Sequence, residues 1–340
     1  MSLIPGRDPG GSGDKILKWA SEFTDWTRYL AVRSRPGGIL EAAVEIFFCG
    51  TRGSTPSPGA AYLRYGGHTS CVALAHDGAP PSLVLDAGTG LANLDRVLAD
   101  APFRGTILLG HLHWDHTHGM PFFAAGARPG HRVQILLPEQ GEEAEQLLAR
   151  AFSPPHFPVA PAALGEGWWF GTLEEGEHEI EEFSVLALEI PHKGGRTFGF
   201  RVSNGTSSLA YLSDHDPLAA GPGPSGLGEL HPAALALAKD TDLLIHDAQL
   251  LVGELPRLSY LGHSCSEYAI GLAQAAGARR VCLFHHAPQR TDGELDELAS
   301  RFAGGVVPVI MAADGLIVRM GSSAADETAP EVRRLPAVPT

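Results

Sequence analysis

Apolar and polar positions change their spacing along this chain, and the changes mark out its elements. Ile16, Trp19, Ala20, Phe23, Trp26 and Leu30 recur every three or four positions behind Asp14, a residue suited to cap a helix, and Pro36-Gly37-Gly38 closes the run. This predicts a helical extension over 14–42 whose apolar face packs on the main domain. From Val44 the pattern shortens. "VEIFFCG", "SCVALAH", "SLVLDAG", "TILLG", "RVQILLP", "FSVLALEI", "TFGFRVS", "SLAYLS", "DLLIHD" and "RVCLF" are apolar runs rich in Val, Ile, Leu and Phe, each read as a strand. Helical spacing returns at about 89–100, 141–152, 231–240, 265–277 and 292–302. Early strands follow one another as meanders and later ones are separated by helices. The expected fold is therefore α/β: an αββα sandwich of two mixed β-sheets flanked by helices, spanning 43–320. Residues 1–13 and 321–340, rich in Gly, Pro or charge, are expected to be a disordered head and tail.

Composition narrows the function classes. With 340 residues and 44% hydrophobic content, the chain is long enough for a large globular core. A formal charge of −14 argues against the basic stripe that long nucleic acid requires. Cys49, Cys71, Cys265 and Cys282 show no C-x-x-C spacing and read as small buried hydrophobes in a reduced compartment. No apolar run suits a signal sequence or a membrane span, so a cytoplasmic protein is expected.

The chemistry gathers where strands end. Asp86 follows "LVL", His111 follows "TILLG", His192 follows "LALEIP", Asp214 follows "LAYLS", His246 and Asp247 follow "DLLI", and His285 follows "VCLF". Ionisable groups at the tips of apolar strands are costly to bury unless paired or coordinated, so their repetition points to one shared site. In "HLHWDH", His111 and His113 are two apart and face one way along an extended segment, while Asp115 and His116 follow where a turn swings them to a second centre. Such a pattern suits two adjacent divalent ions held by nitrogen and oxygen donors. Zinc is the first choice, with manganese or iron as alternatives.

In order, "FFCGTRGSTPSPG", "LVLDAGTG", "HLHWDH", "IPHKGGRTFGFRV", "YLSDHD", "LLIHDA", "GHSC" and "LFHHAP" resemble the metallo-β-lactamase superfamily over roughly residues 44 to 320. More narrowly they are similar to its phosphodiesterase branch, which contains ribonuclease Z and cyclic phosphodiesterases. The resemblance implies that His111, His113 and His192 bind a first metal, that Asp115, His116 and His285 bind a second, and that Asp214 bridges both. It also implies that Asp86 orients the histidine loop without ligating. His263 would contact the phosphate and protonate the departing oxygen, aimed and kept charged by Asp247; the alternative is that His263 caps the following helix. Departures from the family pattern at His68, Cys265 and Ala287 remove none of these ligands.

Phosphodiester hydrolysis at a dinuclear centre, with Asp115 counted among the catalytic groups, is thus the expected activity. Ribonuclease Z grips transfer RNA with an arm inserted between the third metal histidine and the bridging aspartate. Here His192 and Asp214 are only 22 positions apart, which leaves no room for one. A small or cyclic nucleotide-type phosphodiester is therefore the first choice of substrate, and RNA processing like that of ribonuclease Z the alternative. A second alternative is a non-catalytic accessory protein of a cofactor pathway. A homodimer is possible, as in relatives. Other residues carry blander expectations: Trp168, Trp169 and Phe170 as core packing or, as a minority reading, a base-stacking wall; His118 as a hydrogen-bonding loop residue; "EEGEHEIEE" as a solvated face.

Overall fold

The computed structural model describes residues 43–321 and 331–334, so the helix expected at 14–42 and the head before it lie outside the described residues. The described residues open with an antiparallel meander of β1 (Val44–Gly50), β2 (Cys71–His76) and β3 (Leu83–Leu85). Helix α1 (Leu91–Leu98) then returns it so that β4 (Arg104–Leu108) lies parallel to β3. After the short α2 (Trp114–Thr117) comes β5 (Arg132–Pro138), and after α3 (Ala144–Ala151) comes β6 (Trp168–Leu173), both parallel additions.

The second half repeats this plan. An antiparallel run of β7 (Gly176–Ile180), β8 (Phe183–Glu189), β9 (Phe198–Ser203) and β10 (Ser208–Leu212) is followed by α4 (Pro232–Ala238) and the parallel strand β11 (Leu243–Asp247). Helices α5 (Leu255–Leu258) and α6 (Ser266–Ala276) lead to β12 (Val281–Phe284), and α7 (Asp292–Phe302) leads to β13 (Val309–Met311). The chain then crosses back: β14 (Leu316–Met320) pairs with β1, and β15 (Glu331–Arg334) pairs with β14. The sheets thus have eight and seven strands, in the orders β15-β14-β1-β2-β3-β4-β5-β6 and β13-β12-β11-β10-β9-β8-β7.

Period-two alternation sorts the core into three layers. Ile46 and Phe48 of β1 face inward and pack with Val185, Phe200 and Tyr211 of the other sheet. Phe47 and Cys49 of the same strand face outward, with Leu91 and Leu94 of α1. On the far side Ala210, Leu212 and Leu244 pack with Leu237 of α4 and Leu272 of α6. All four cysteines are buried and free, as small apolar residues.

Among the described residues, all ten expected strands and the five helices expected there are present, and five strands were not foreseen. β7 lies inside the acidic stretch expected to be a solvated face. It is the edge of its sheet, where Glu177 and Glu179 stand exposed on alternate positions while backbone pairing to β8 supplies the order. Glu181, just beyond, hydrogen-bonds Arg132 and Thr106, so this part of the stretch is not free surface. β6 divides the aromatic cluster: Trp168 is buried and donates Nε1–H to Gly126 O, whereas Trp169 is half exposed. Three-residue β13 is too short to carry a pattern. β14 fills the remaining edge of β1, and β15 corrects the expectation of a wholly disordered 321–340, because β14 offers unpaired backbone groups for it to pair with.

Candidate metal centre

The predicted site residues gather at one edge of the sandwich, all but His263 at or just past the carboxyl end of a strand; His263 lies in the loop between the turn Ser259–Leu261 and α6. Asp86 follows β3 and the histidine loop follows β4. In the second sheet, His192 follows β8, Asp214 follows β10, Asp247 ends β11 and His285 follows β12. β8 runs parallel to β10, because each is antiparallel to β9, so all four of these positions face one way.

Within the histidine loop, His113 keeps an extended backbone and α2 begins at Trp114, which turns Asp115 and His116 away from His111 and His113. Two groups of donors result. In one, His192 Nε2 lies 3.3 Å from His113 Nδ1, and Asp214 Oδ2 lies 3.3 Å from His192 Nε2 and 3.5 Å from His111 Nε2. In the other, Asp214 Oδ1 lies 3.2 Å from His116 Nε2 and 3.1 Å from His285 Nε2, while Asp115 Oδ2 lies 3.3 Å and 3.1 Å from the same two nitrogens. Asp214 therefore directs one carboxylate oxygen to each group.

The donors fit a pair of divalent ions. Four ligands about 2.0–2.2 Å from a tetrahedral ion are separated by about 3.3–3.6 Å, close to the spacing observed here. His111 Nε2, His116 Nε2 and Asp214 Oδ1 are buried without a hydrogen-bond partner, the condition of atoms built to meet a cation. Two rings are held with Nε2 facing the centre. His116 Nδ1 faces Asp86 Oδ2 at 2.7 Å and His192 Nδ1 faces Gly262 O at 2.8 Å, so each donates there and directs Nε2 to the centre. Asp86 also accepts from the Gly110 amide and the Tyr211 hydroxyl, both at 2.8 Å, and holds a left-handed backbone at φ 63°. It thus fixes the histidine loop from beneath, as its resemblance implies.

His263 is bonded to Asp247 and does not cap a helix. Its Nδ1 lies 2.9 Å from Asp247 Oδ2, while α6 starts three residues later behind Cys265 with no side-chain cap. The carboxylate is itself fixed by the amides of Gln249 on one oxygen and of His215 and Ser264 on the other.

A family model described as the β-lactamase superfamily domain matches residues 82–286. The chain belongs to the metallo-β-lactamase superfamily. It is similar to ribonuclease Z of Brevibacillus brevis, 32% identical over 223 residues that cover 56% of this chain and 70% of that protein. Its fold is shared by the metallo-β-lactamase fold protein YhfI from Bacillus subtilis (TM-score 0.62, 16% identity, 82% of this chain and 100% of that one). It is shared too by a diphosphatase from the PhnP family (TM-score 0.59, 15% identity, 82% of this chain and 97% of that one). The likeness to the Brevibacillus brevis protein places the chain in the phosphodiesterase branch of the superfamily.

Electrostatics in this superfamily member suit cation binding. Burial holds His111 well below the ordinary imidazole value, and burial with neighbouring rings lowers His113 and His192, so all three are neutral donors. Burial also opposes charge on Asp115 and Asp214, but the imidazoles around them outweigh it and both stay ionised. At His263 burial again pulls downward, yet the charge and hydrogen bond of Asp247, helped by Asp214, push the ring up to about 9.

Several participants were not assigned from sequence. Ser54, at a left-handed φ of 59°, donates its amide to Asp115 Oδ2 at 2.6 Å and its hydroxyl to Gln249. Gly53 leaves room for His285: a Cβ there would meet both its Nδ1 and Gln249 Oε1 at 2.4 Å. The "GTRGSTPSPG" motif contained both residues, but one sequence gives no sign of which atoms it presents. His286 bonds Ala312 O and stays outside both donor groups, while His118 stacks on Trp114.

Proposed function

We propose that this chain hydrolyses a small nucleotide-type phosphodiester at a dinuclear metal centre, with His111, His113, His192 and Asp214 holding one ion and Asp115, His116, His285 and Asp214 the other. The observation that carries this reading is the division of Asp214, whose two oxygens face two separate donor sets. Divalent ions held there would supply Lewis acidity and the positive charge that draws phosphoryl oxygens. The protein's own part is to aim and to exclude. Asp86 fixes the tautomer of His116, Gly262 O fixes His192, and Ser54 N–H holds Asp115 in place. His263, protonated and locked by Asp247, stands 3.9 Å from Asp214 at the pocket wall, where its free Nε2 is placed to give a proton to the departing oxygen.

Two features support a small substrate. The residues between His192 and Asp214 are used up by a short loop and the β9–β10 hairpin, with no excursion to grip a long partner. The pocket is about 480 Å³ and its lining, from Ser54 to His263, contains no Lys or Arg. RNA processing remains the second reading because the Brevibacillus brevis relative is named ribonuclease Z. Turnover of 2′,3′-cyclic nucleotides and bis-p-nitrophenyl phosphate, set beside precursor transfer RNA, tests the choice. Cleavage of the small esters without the RNA is expected; the reverse overturns the small-substrate reading.

A further inference from the structure

The base-stacking wall considered for Trp168–Phe170 is not there: Trp168 is core and Trp169 stands on an edge strand, neither lining the metal pocket. Trp114 does line it. Although it sits between metal-loop residues His113 and Asp115, its side chain remains 67% exposed, while Asp115 and His116 beside it are buried. One face of the indole is occupied, stacked on the His118 imidazole at 5.2 Å and 21°. That partner limits ring rotation and leaves a flat apolar surface at the pocket. Leu112 and Leu261 are the other apolar side chains of the lining. Leu261 lies in a short 3-10 turn, Ser259–Leu261, tied to the His192 loop by Lys193, whose ammonium bonds Tyr260 O.

The pocket therefore has two halves of different chemistry. One consists of the metal donors and His263. The other, of Leu112, Trp114 and Leu261, has no charge with which to meet a second phosphate, yet it contains a braced aromatic plane. We infer that Trp114 is a specificity-determining residue that stacks the nucleobase of a small nucleotide substrate while the phosphodiester lies at the metal donors. The inference rests on the small-phosphodiester reading for the position of the phosphate. A planar base is the group that matches this half, because it gains from stacking where an alkyl ester or a second phosphate does not.

The test separates the base from the phosphate. Adenosine 5′-monophosphate and ribose 5-phosphate differ only in the base, so their dissociation constants for the purified protein are compared by calorimetry. The wild type is expected to prefer the nucleotide on the order of 10- to 100-fold, the usual effect of one base–aromatic stack. Trp114→Ala should reduce that ratio to near one, and Trp114→Phe should restore most of it. Trp114→Leu keeps apolar bulk without an aromatic face and should behave like the alanine variant, which provides the same contrast if alanine disturbs folding. Equal affinities in the wild type, or an undiminished preference in both Trp114→Ala and Trp114→Leu, overturn the inference. Wild-type turnover of 2′,3′-cyclic AMP is followed in parallel. An intact base preference without turnover would sink the hydrolytic reading and leave the base subsite standing.

Discussion

Asp86→Asn is a demanding test of the centre because it changes one atom beneath it. The native carboxylate, fully buried, accepts from three donors: Gly110 N–H on Oδ1, and His116 Nδ1–H and the Tyr211 hydroxyl on Oδ2. Asparagine is isosteric and tolerates the left-handed backbone at this position, so neither a cavity nor strain is added. Its Oδ1 can still accept from Gly110. Its amide nitrogen, however, now points a proton at His116 Nδ1, and the ring must answer by moving its own proton to Nε2. That nitrogen is the one directed at Asp115 and Asp214, so a lone pair becomes an N–H and the second donor set loses a ligand. Loss of such a supporting hydrogen bond lowers metal affinity by about 10- to 100-fold, and here the tautomer change places the effect at the upper end. Folding should suffer less, about 1–3 kcal/mol for one mismatched buried donor, since the Tyr211 hydroxyl can turn to accept. The assay is metal content per chain after dialysis against a graded chelator series, with thermal melting alongside. A fall from near two ions toward one, in protein that still melts cooperatively, is expected. Two ions held as tightly as in the wild type would refute the claim that Asp86 sets the tautomer of His116. Tyr211→Phe removes a donor to Asp86 and a hydrogen-bond partner of Ser213 but leaves the His116 tautomer in place, so it should cost about 1–3 kcal/mol and leave the stoichiometry alone.

Asp214→Ala removes the one side chain common to both donor sets, and turnover of bis-p-nitrophenyl phosphate should fall to background while circular dichroism shows the fold retained; measurable activity would contradict a shared carboxylate. Asp247→Asn tests the proton donor through pH. In the wild type Asp247 pushes His263 up to about 9, so the ring is protonated below that value and turnover falls only as pH rises through it. Without the charge, burial pulls the ring down again against only the weaker pull of Asp214 and Asp115, so kcat at pH 7.5 should drop while kcat at pH 5.5 changes little. A pH profile with an unmoved alkaline limb would exclude His263 as the acid. Arg52, fully buried, donates to Gly66 O, Ala287 O and Arg290 O and so joins the loop that presents Ser54 to the segment after His285. Arg52→Ala should lose more than about 3 kcal/mol in urea unfolding, since three carbonyls lose their donor and a cavity opens.

What the sequence disclosed and what it withheld have different physical origins. Inward-facing runs such as "VEIFFCG" declare themselves because both faces of a central strand are buried, and strand tips declare themselves because Asp86, His111, Asp214 and His285 interrupt apolar runs with groups that are costly to bury. Edge strands give no such signal. β7 is ordered through backbone pairing to β8 and its glutamates look outward, so its composition is that of a surface loop. β15, in a stretch of charged and Pro-rich sequence, depends on β14 in the same way.

The same division runs through the site. Metal donors are few in kind and must sit where strands converge, so spacing and type identify them. The pocket's other half is built from Leu112, Trp114 and Leu261, residue types that in sequence look no different from core, and Trp114 is distinguished only by being left outside it. Position in the motif put Trp114 beside the donors, but it took the turn at α2 to send its neighbours Asp115 and His116 inward while the indole stayed at the surface against His118. Chemistry shared across a superfamily is written in residue type, whereas substrate choice is written in which apolar side chain the backbone leaves exposed. That is why the reaction class was legible before the structure and the surface facing the rest of the substrate was not.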